Sequence, residues 1–182
     1  ITLAERPTIN TEYTSNQQPL IRGAQRIFPV SGSGAYVLDG IIETSAGIVK
    51  RHEPRPVIVA VVTSGPELSG RPYTRVLEGL KASGAALHIV TVGGPVNGPH
   101  DVVVAYSEGT GSTGGRYDDV LAGSALPGKM KQIATELTHQ YRVTYARPES
   151  LIPPERVTVS TPRRGLTARG IAAIPDRAQE RQ

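Results

Sequence analysis

The chain has 182 residues, 38% of them hydrophobic, with one Phe, no Trp, no Cys and a formal net charge of +4. That length supports one domain whose core must be built from Val, Ile, Leu and Ala. The lack of Cys excludes a disulfide framework and thiolate metal sites. No apolar run reaches the ~18 residues of a membrane span, and the sixteen Arg against four Lys gather late, at Arg163, Arg164, Arg169, Arg177 and Arg181, as a solvated basic tail rather than a nucleic-acid surface.

The chain opens at Ile1, not Met, and in mid-pattern, which reads as a fragment or a processed product; the lack of a visible leader then says nothing about targeting. Ile1–Ala4 and Thr8–Tyr13, around Arg6-Pro7, predict an antiparallel edge hairpin. Ser15-Asn16 can cap a helix carrying Leu20, Ile21, Ala24, Ile27 and Phe28. Pro29 to Gly34 is a small-residue loop. From Ala35, the spacing of Leu38, Ile41, Ile42, Ala46, Ile48 and Val49 predicts a second helix that ends before Pro54.

Pro56-Val57-Ile58-Val59-Ala60-Val61-Val62 then reads as a strand buried on both faces, the kind found in parallel sheets covered by helices. A helix opened by Arg71-Pro72 and stopped by Ser83-Gly84 leads to a second such strand, Ala86–Val92, completing a βαβ unit. Ligands of open α/β sheets sit outside the carboxyl ends of the strands, so Thr63, Ser64, Gly65 and Glu67 are the first candidates for any site.

Asp101–Glu108 reads as a crossover helix, although its three valines also suit a strand. Gly109–Gly115 (GTGSTGG) reads as a flexible loop, Arg116–Leu121 as a strand and Lys129–Gln140 as a helix. Tyr141, Val143 and Tyr145 alternate with polar residues as a one-sided strand, its tyrosines facing a core. Val157 and Val159 alternate likewise, Leu166–Ala168 suits a short strand, and the chain from Ile174 reads as a disordered tail.

The order of these elements, and the tracts VVTSGPELSGRPYTRVLEGLKASGAALHIVTVG, TGGRYDDVL, KMKQIATELTHQYRVTYARP and PERVTVSTPRRGLTARG, resemble a von Willebrand factor A domain of the kind found in bacterial von Willebrand factor A-related proteins. The resemblance runs from Ile1 to about Gly170. It implies an α/β, three-layer Rossmann-like, mostly parallel sheet with helices on both faces and a C-terminal β extension. The implied division is residues 1–139 for the domain, 140–173 for the extension and 174–182 for the tail. The family's central first strand, with its Asp-x-Ser-x-Ser loop, would lie before Ile1, so this chain is expected to be poorly stable. The resemblance implies a non-enzymatic, exported protein-interaction or adhesion module with an unidentified protein ligand.

Its metal-ion-dependent adhesion site is expected to be degenerate. The second-loop Thr of the family falls on Gly34 or Ala35 and the third-loop Asp on Ser64, which leaves Ser33, Ser64 and Glu67 as the oxygen donors available to a Mg²⁺ ion. A divalent ion strongly prefers a carboxylate. No cofactor is therefore expected, and the loops themselves, Ser31, Ser33, Gly34, Thr63, Ser64, Glu67 and Asn97, are read as a protein-binding face.

A nucleotide-binding Rossmann-like enzyme and a structural spacer are the other readings. For the first, GTGSTGG could cradle phosphate but lacks the Lys-Ser/Thr of a P-loop, and the GSG at Gly32–Gly34 opens a helix without a complete dinucleotide fingerprint. No catalytic residue is assigned. The four histidines share no ligand spacing, His88 reads as a core residue, and Asp118 and Asp119 point to opposite faces.

Overall fold

The computed structural model describes residues 1–28, 34–63, 65–141, 143 and 158–171. The helices are α1 (Gln17–Gln25), α2 (Val37–Arg51), α3 (Tyr73–Ser83), α4 (His100–Thr113) and α5 (Leu126–Thr138); the strands are β1 (Val57–Thr63), β2 (Ala86–Val92) and β3 (Arg116–Val120). The strands form one parallel sheet in the order β1-β2-β3. Its register sets Val59 beside His88 and His88 beside Arg116. The fold class is thus α/β with a small, open parallel sheet.

Side chains alternate across a strand, so the register sorts the core into two. Ile58, Val62, Leu87 and Ile89 face one way and pack with Val37, Leu38 and Ile41 of α2, Val76 and Leu80 of α3, and Val102, Ala105 and Tyr106 of α4. Val90 and Val120 face the other way, onto Ile133 of α5. α3 and α4 both stop at a glycine in the left-handed conformation, Gly84 (φ 67°) and Gly114 (φ 76°), where a side chain would be strained.

Several expectations are corrected. The N-terminal hairpin reduces to a single antiparallel bridge, Thr2 to Thr8, because Leu3 turns inward against Gly40 while its carbonyl accepts the Tyr36 N–H at 2.8 Å. The segment Gly109–Thr113 is not a loop but the last turn and a half of α4. Its hydroxyls bond back within the helix, Thr110 to the Tyr106 carbonyl and Thr113 to the Gly109 carbonyl, both at 2.7 Å. Gly109 is there for close packing: a Cβ would meet Leu87 at 3.1 Å and Leu80 at 3.3 Å.

Tyr141 does not face a core; it is 93% exposed, since the chain leaves α5 at Thr138 and no described strand lies beside it. Tyr145 and Val157 lie outside the described residues, as does the tail from Ile174. Residues 158–171 form no strand. They are held through side chains instead: Arg169 pairs with Glu136 of α5, and Gly170 sits against Gly114.

Candidate functional site

The carboxyl ends of β1, β2 and β3 bring three loops to one end of the sheet. β1 ends at exposed Thr63, followed by exposed Gly65 and Pro66 and half-buried Glu67. The chain then doubles back on itself. Ala35 pairs with Glu67 as a parallel bridge, the Ala35 N–H donating to the Pro66 carbonyl and the Leu68 N–H to the Ala35 carbonyl, both at 2.8 Å. Gly34 is buried beneath this bridge, and a Cβ there would meet the Pro66 carbonyl at 2.6 Å. Gly34, one of the two positions on which the second-loop ligand falls, therefore has no room for a side chain.

Glu67 is used by the fold. α2 begins without a local cap, since the Tyr36 side chain makes no capping bond. Instead the Leu38 N–H donates to Glu67 Oε1 at 3.2 Å, and the Ser69 N–H donates to Glu67 Oε2 at 3.1 Å. The Ser69 hydroxyl donates to Glu67 and in turn accepts the Asp39 N–H at 3.0 Å. Two orphan donors of the first turn are thereby satisfied from across the fold, and a carboxylate sits at the positive end of the helix dipole. α3 is treated alike: Asp101 of α4 accepts the Tyr73 N–H at 2.9 Å.

The loop after β2 is pinned as well. The Gly93 N–H donates to the Val120 carbonyl and the Val96 N–H to the Tyr117 hydroxyl, both at 2.8 Å. These bonds leave Asn97 exposed at the rim. Two residues that composition did not single out complete it: Leu68, 48% exposed, and Leu121, 84% exposed just past β3. Of the expected face, Gly34, Thr63, Glu67 and Asn97 are thus located; Thr63 and Asn97 are open, Gly34 is buried and Glu67 is engaged. Ser31, Ser33 and Ser64 lie outside the described residues. Among the described residues, no group of three or more His, Asp or Glu is placed to hold a metal ion.

The densest charge cluster lies elsewhere, on the α5 side of β3. Arg116 Nε approaches Asp118 Oδ2 at 2.7 Å and Lys129 Nζ approaches Asp118 Oδ1 at 2.9 Å, while Arg116 and Arg169 both pair with Glu136. Burial alone would raise the Asp118 carboxyl, but hydrogen bonds from Lys129 and Arg116 outweigh it and hold the group below its ordinary value. His88, buried next to Arg116, has no partner for Nδ1, and desolvation pushes its pKa down although Glu136 pulls the other way. Asp119 is exposed, so the adjacent carboxylates do diverge. At the opposite end of the sheet, Leu77, Leu80, Ala85, Thr113 and Ile171 line an open apolar groove of about 400 Å³ between α3 and α4.

No protein-family model matches the chain, and no curated protein matches it. A solved structure described as an uncharacterized membrane spanning protein from Vibrio fischeri is similar over 67% of each chain, at 14% identity and a TM-score of 0.36. Among the described residues no helix is long and apolar enough to cross a membrane.

Proposed function

We propose that this chain is a von Willebrand factor A-like, three-layer module of an exported protein. In this reading it binds a protein ligand, without catalysis, through the loops at the carboxyl ends of β1, β2 and β3. The observation that supports the reading is the make-up of that rim. Thr63, Gly65, Pro66, Leu68, Pro95, Asn97 and Leu121 present small polar and apolar surface, while Glu67 is engaged as a helix cap. Exposed leucines ringed by small polar groups suit a dry protein contact.

Glu67, the carboxylate among the expected donors, is engaged as a helix cap, so recognition is proposed to proceed without Mg²⁺. The N–H groups of Leu38 and Asp39 at the start of α2 already have acceptors, which weighs against phosphate binding there. The end of α4 carries the negative pole of its dipole, which weighs against a phosphate cradle at Gly109–Gly115.

The test compares proteins captured by the chain with those captured by Leu121→Arg and Asn97→Arg rim variants. Val103→Arg, on an exposed position of α4, is the control. A ligand lost with both rim variants and retained by the control supports the reading. A ligand retained by all three removes the rim from it and favours a spacer.

A further inference from the structure

Asn97 is followed by Gly98 in the loop between β2 and α4. The loop is anchored on either side of this pair. The Val96 N–H donates to the Tyr117 hydroxyl at 2.8 Å, and the Pro99 carbonyl accepts the Val102 N–H at 3.0 Å as α4 begins. Between the two anchors, Asn97 and Gly98 are exposed and belong to no helix or strand. Among the described residues, nothing hydrogen-bonds the Asn97 side-chain amide or the Gly98 N–H.

The chain has two other asparagines, and both are occupied. Asn10 Nδ2 donates to the Gly23 carbonyl at 2.7 Å, and the next residue is the β-branched Thr11. Asn16 Oδ1 accepts the Gln18 N–H at 3.0 Å as the cap of α1, and Gln17 after it is already helical. An asparagine side chain is open to attack by the main-chain nitrogen of the residue that follows, and adjacency makes the step unimolecular. The attack needs an unbonded amide and a backbone free to bring that nitrogen onto Cγ. Hydrogen bonds and a following side chain oppose it at Asn10 and Asn16. At Asn97 neither obstacle stands, and glycine has the widest backbone freedom of any residue.

We propose that Asn97 is a self-modifying site, converted to aspartate and isoaspartate with water as the co-reactant. The Gly98 nitrogen gives its proton to solvent and attacks Asn97 Cγ. The new C–N bond displaces Nδ2, which leaves as ammonia, and a succinimide ring closes. Water then opens the ring. Addition at Cγ gives aspartate; addition at the main-chain carbonyl carbon gives isoaspartate, with the chain now running through Cγ. Nothing is oxidised or reduced. Either product lowers the formal net charge by one from +4 and sets a carboxylate where the rim had an amide. The isoaspartyl form also lengthens the main chain between Val96, held by Tyr117, and the start of α4. The chemistry stands whether or not the rim binds a protein.

Incubation of the folded 182-residue chain in mildly alkaline buffer, followed by tryptic mapping, tests the proposal. The tryptic peptide 82–116 holds Asn97 and no other Asn or Gln, so an amide-to-acid gain in its mass belongs to Asn97. Labelling with an isoaspartyl methyltransferase reports the second product. Asn97 converts at least about tenfold faster than Asn10 or Asn16, a barrier lower by about 1.4 kcal/mol or more. Its rate rises with pH, because the Gly98 N–H must lose its proton. Gly98→Ala slows conversion at least about tenfold and still folds, since a Cβ there would meet Val96 and Val102 at an ordinary 3.9 Å. The chain unfolded in urea separates the fold from the dipeptide: an unshielded loop keeps most of its unfolded rate. A peptide 82–116 that gains no acid overturns the proposal, as do equal rates at the three asparagines or a Gly98→Ala chain that converts as fast as its parent. A folded chain at least about tenfold slower than the unfolded one also overturns it, by showing that the loop protects Asn97.

Discussion

Replacing Glu67 separates a structural carboxylate from a ligand-binding one. The side chain accepts the Leu38 N–H and fixes Ser69, which accepts the Asp39 N–H. In Glu67→Ala both donors at the start of α2 lose an organised acceptor. Loss of a cap costs about 1 kcal/mol, and removal of a negative charge from a helix N-terminus adds about 0.5 kcal/mol. The sum is about 1.5–2 kcal/mol, or a fall of roughly 3–8 °C in Tm for a chain of this size. Glu67→Gln keeps one acceptor and loses the charge, so about half that loss is expected. Ser69→Ala costs about 1 kcal/mol, and the double variant costs less than the two singles together, because Glu67 acts partly through Ser69.

Urea denaturation, with the slope checked for constancy, reads these values, and the series is repeated with and without Mg²⁺. A Glu67→Ala variant within about 0.3 kcal/mol of the parent chain would refute the capping argument. So would a Mg²⁺-dependent rise in Tm that the parent shows and Glu67→Ala lacks, since the carboxylate would then be serving an ion.

Two glycines of similar sequence setting should respond in opposite directions. Gly111→Ala, at an open position inside α4, stabilises by about 0.5–1 kcal/mol, whereas at Gly115 a Cβ would fall within the Leu87 backbone and Gly115→Ala should abolish a cooperative melt. Asp118→Asn leaves Arg116 and Lys129 short of a partner and costs about 2–3 kcal/mol near neutral pH. Its carboxyl is depressed in the folded state, so the contribution is full above about pH 4 and fades as pH falls through the lowered value; the gap between variant and parent, read from melts across pH, should close there. The depressed His88 binds its proton more readily in the unfolded chain, so its share of stability is full above about pH 6.5 and declines as pH falls below that. His88→Leu should flatten the Tm profile below about pH 6.5 and leave stability near pH 8 unchanged or higher, because the unpartnered Nδ1 is removed.

The sheet was legible because β-branched runs bounded by Pro and Gly leave few alternatives: β1 and β2 begin and end within a residue of the expected positions. Helix α1 was legible from its Asn16 cap, which accepts the Gln18 N–H at 3.0 Å. Gly109–Thr113 misled because composition is a proxy for backbone freedom. The segment looks loop-like until its hydroxyls are bonded into α4 and Gly109 is pressed between Leu80 and Leu87. The Glu67 cap was hidden for another reason. Its partner at Leu38 lies 29 residues away and that of Ser69 at Asp39 lies 30 away, so no local pattern contains either. Leu121 was read as the end of a strand; only the turn after Val120 turns it out to solvent.

The candidate site and the fold compete for Glu67. As a cap, the carboxylate accepts from Leu38 and twice from Ser69, and a cation drawing it away would return the Leu38 N–H to an orphan state at a helix start. The Ala35 bridge to the same residue ties the loop further, so moving Glu67 also disturbs Gly34 and the approach to α2. A protein ligand asks for no such exchange: it can press on Leu68, Asn97 and Leu121 while every bond of Glu67 survives. In the proposed reading the rim binds by shape, with Glu67 holding β1's loop and the head of α2 in place beneath it.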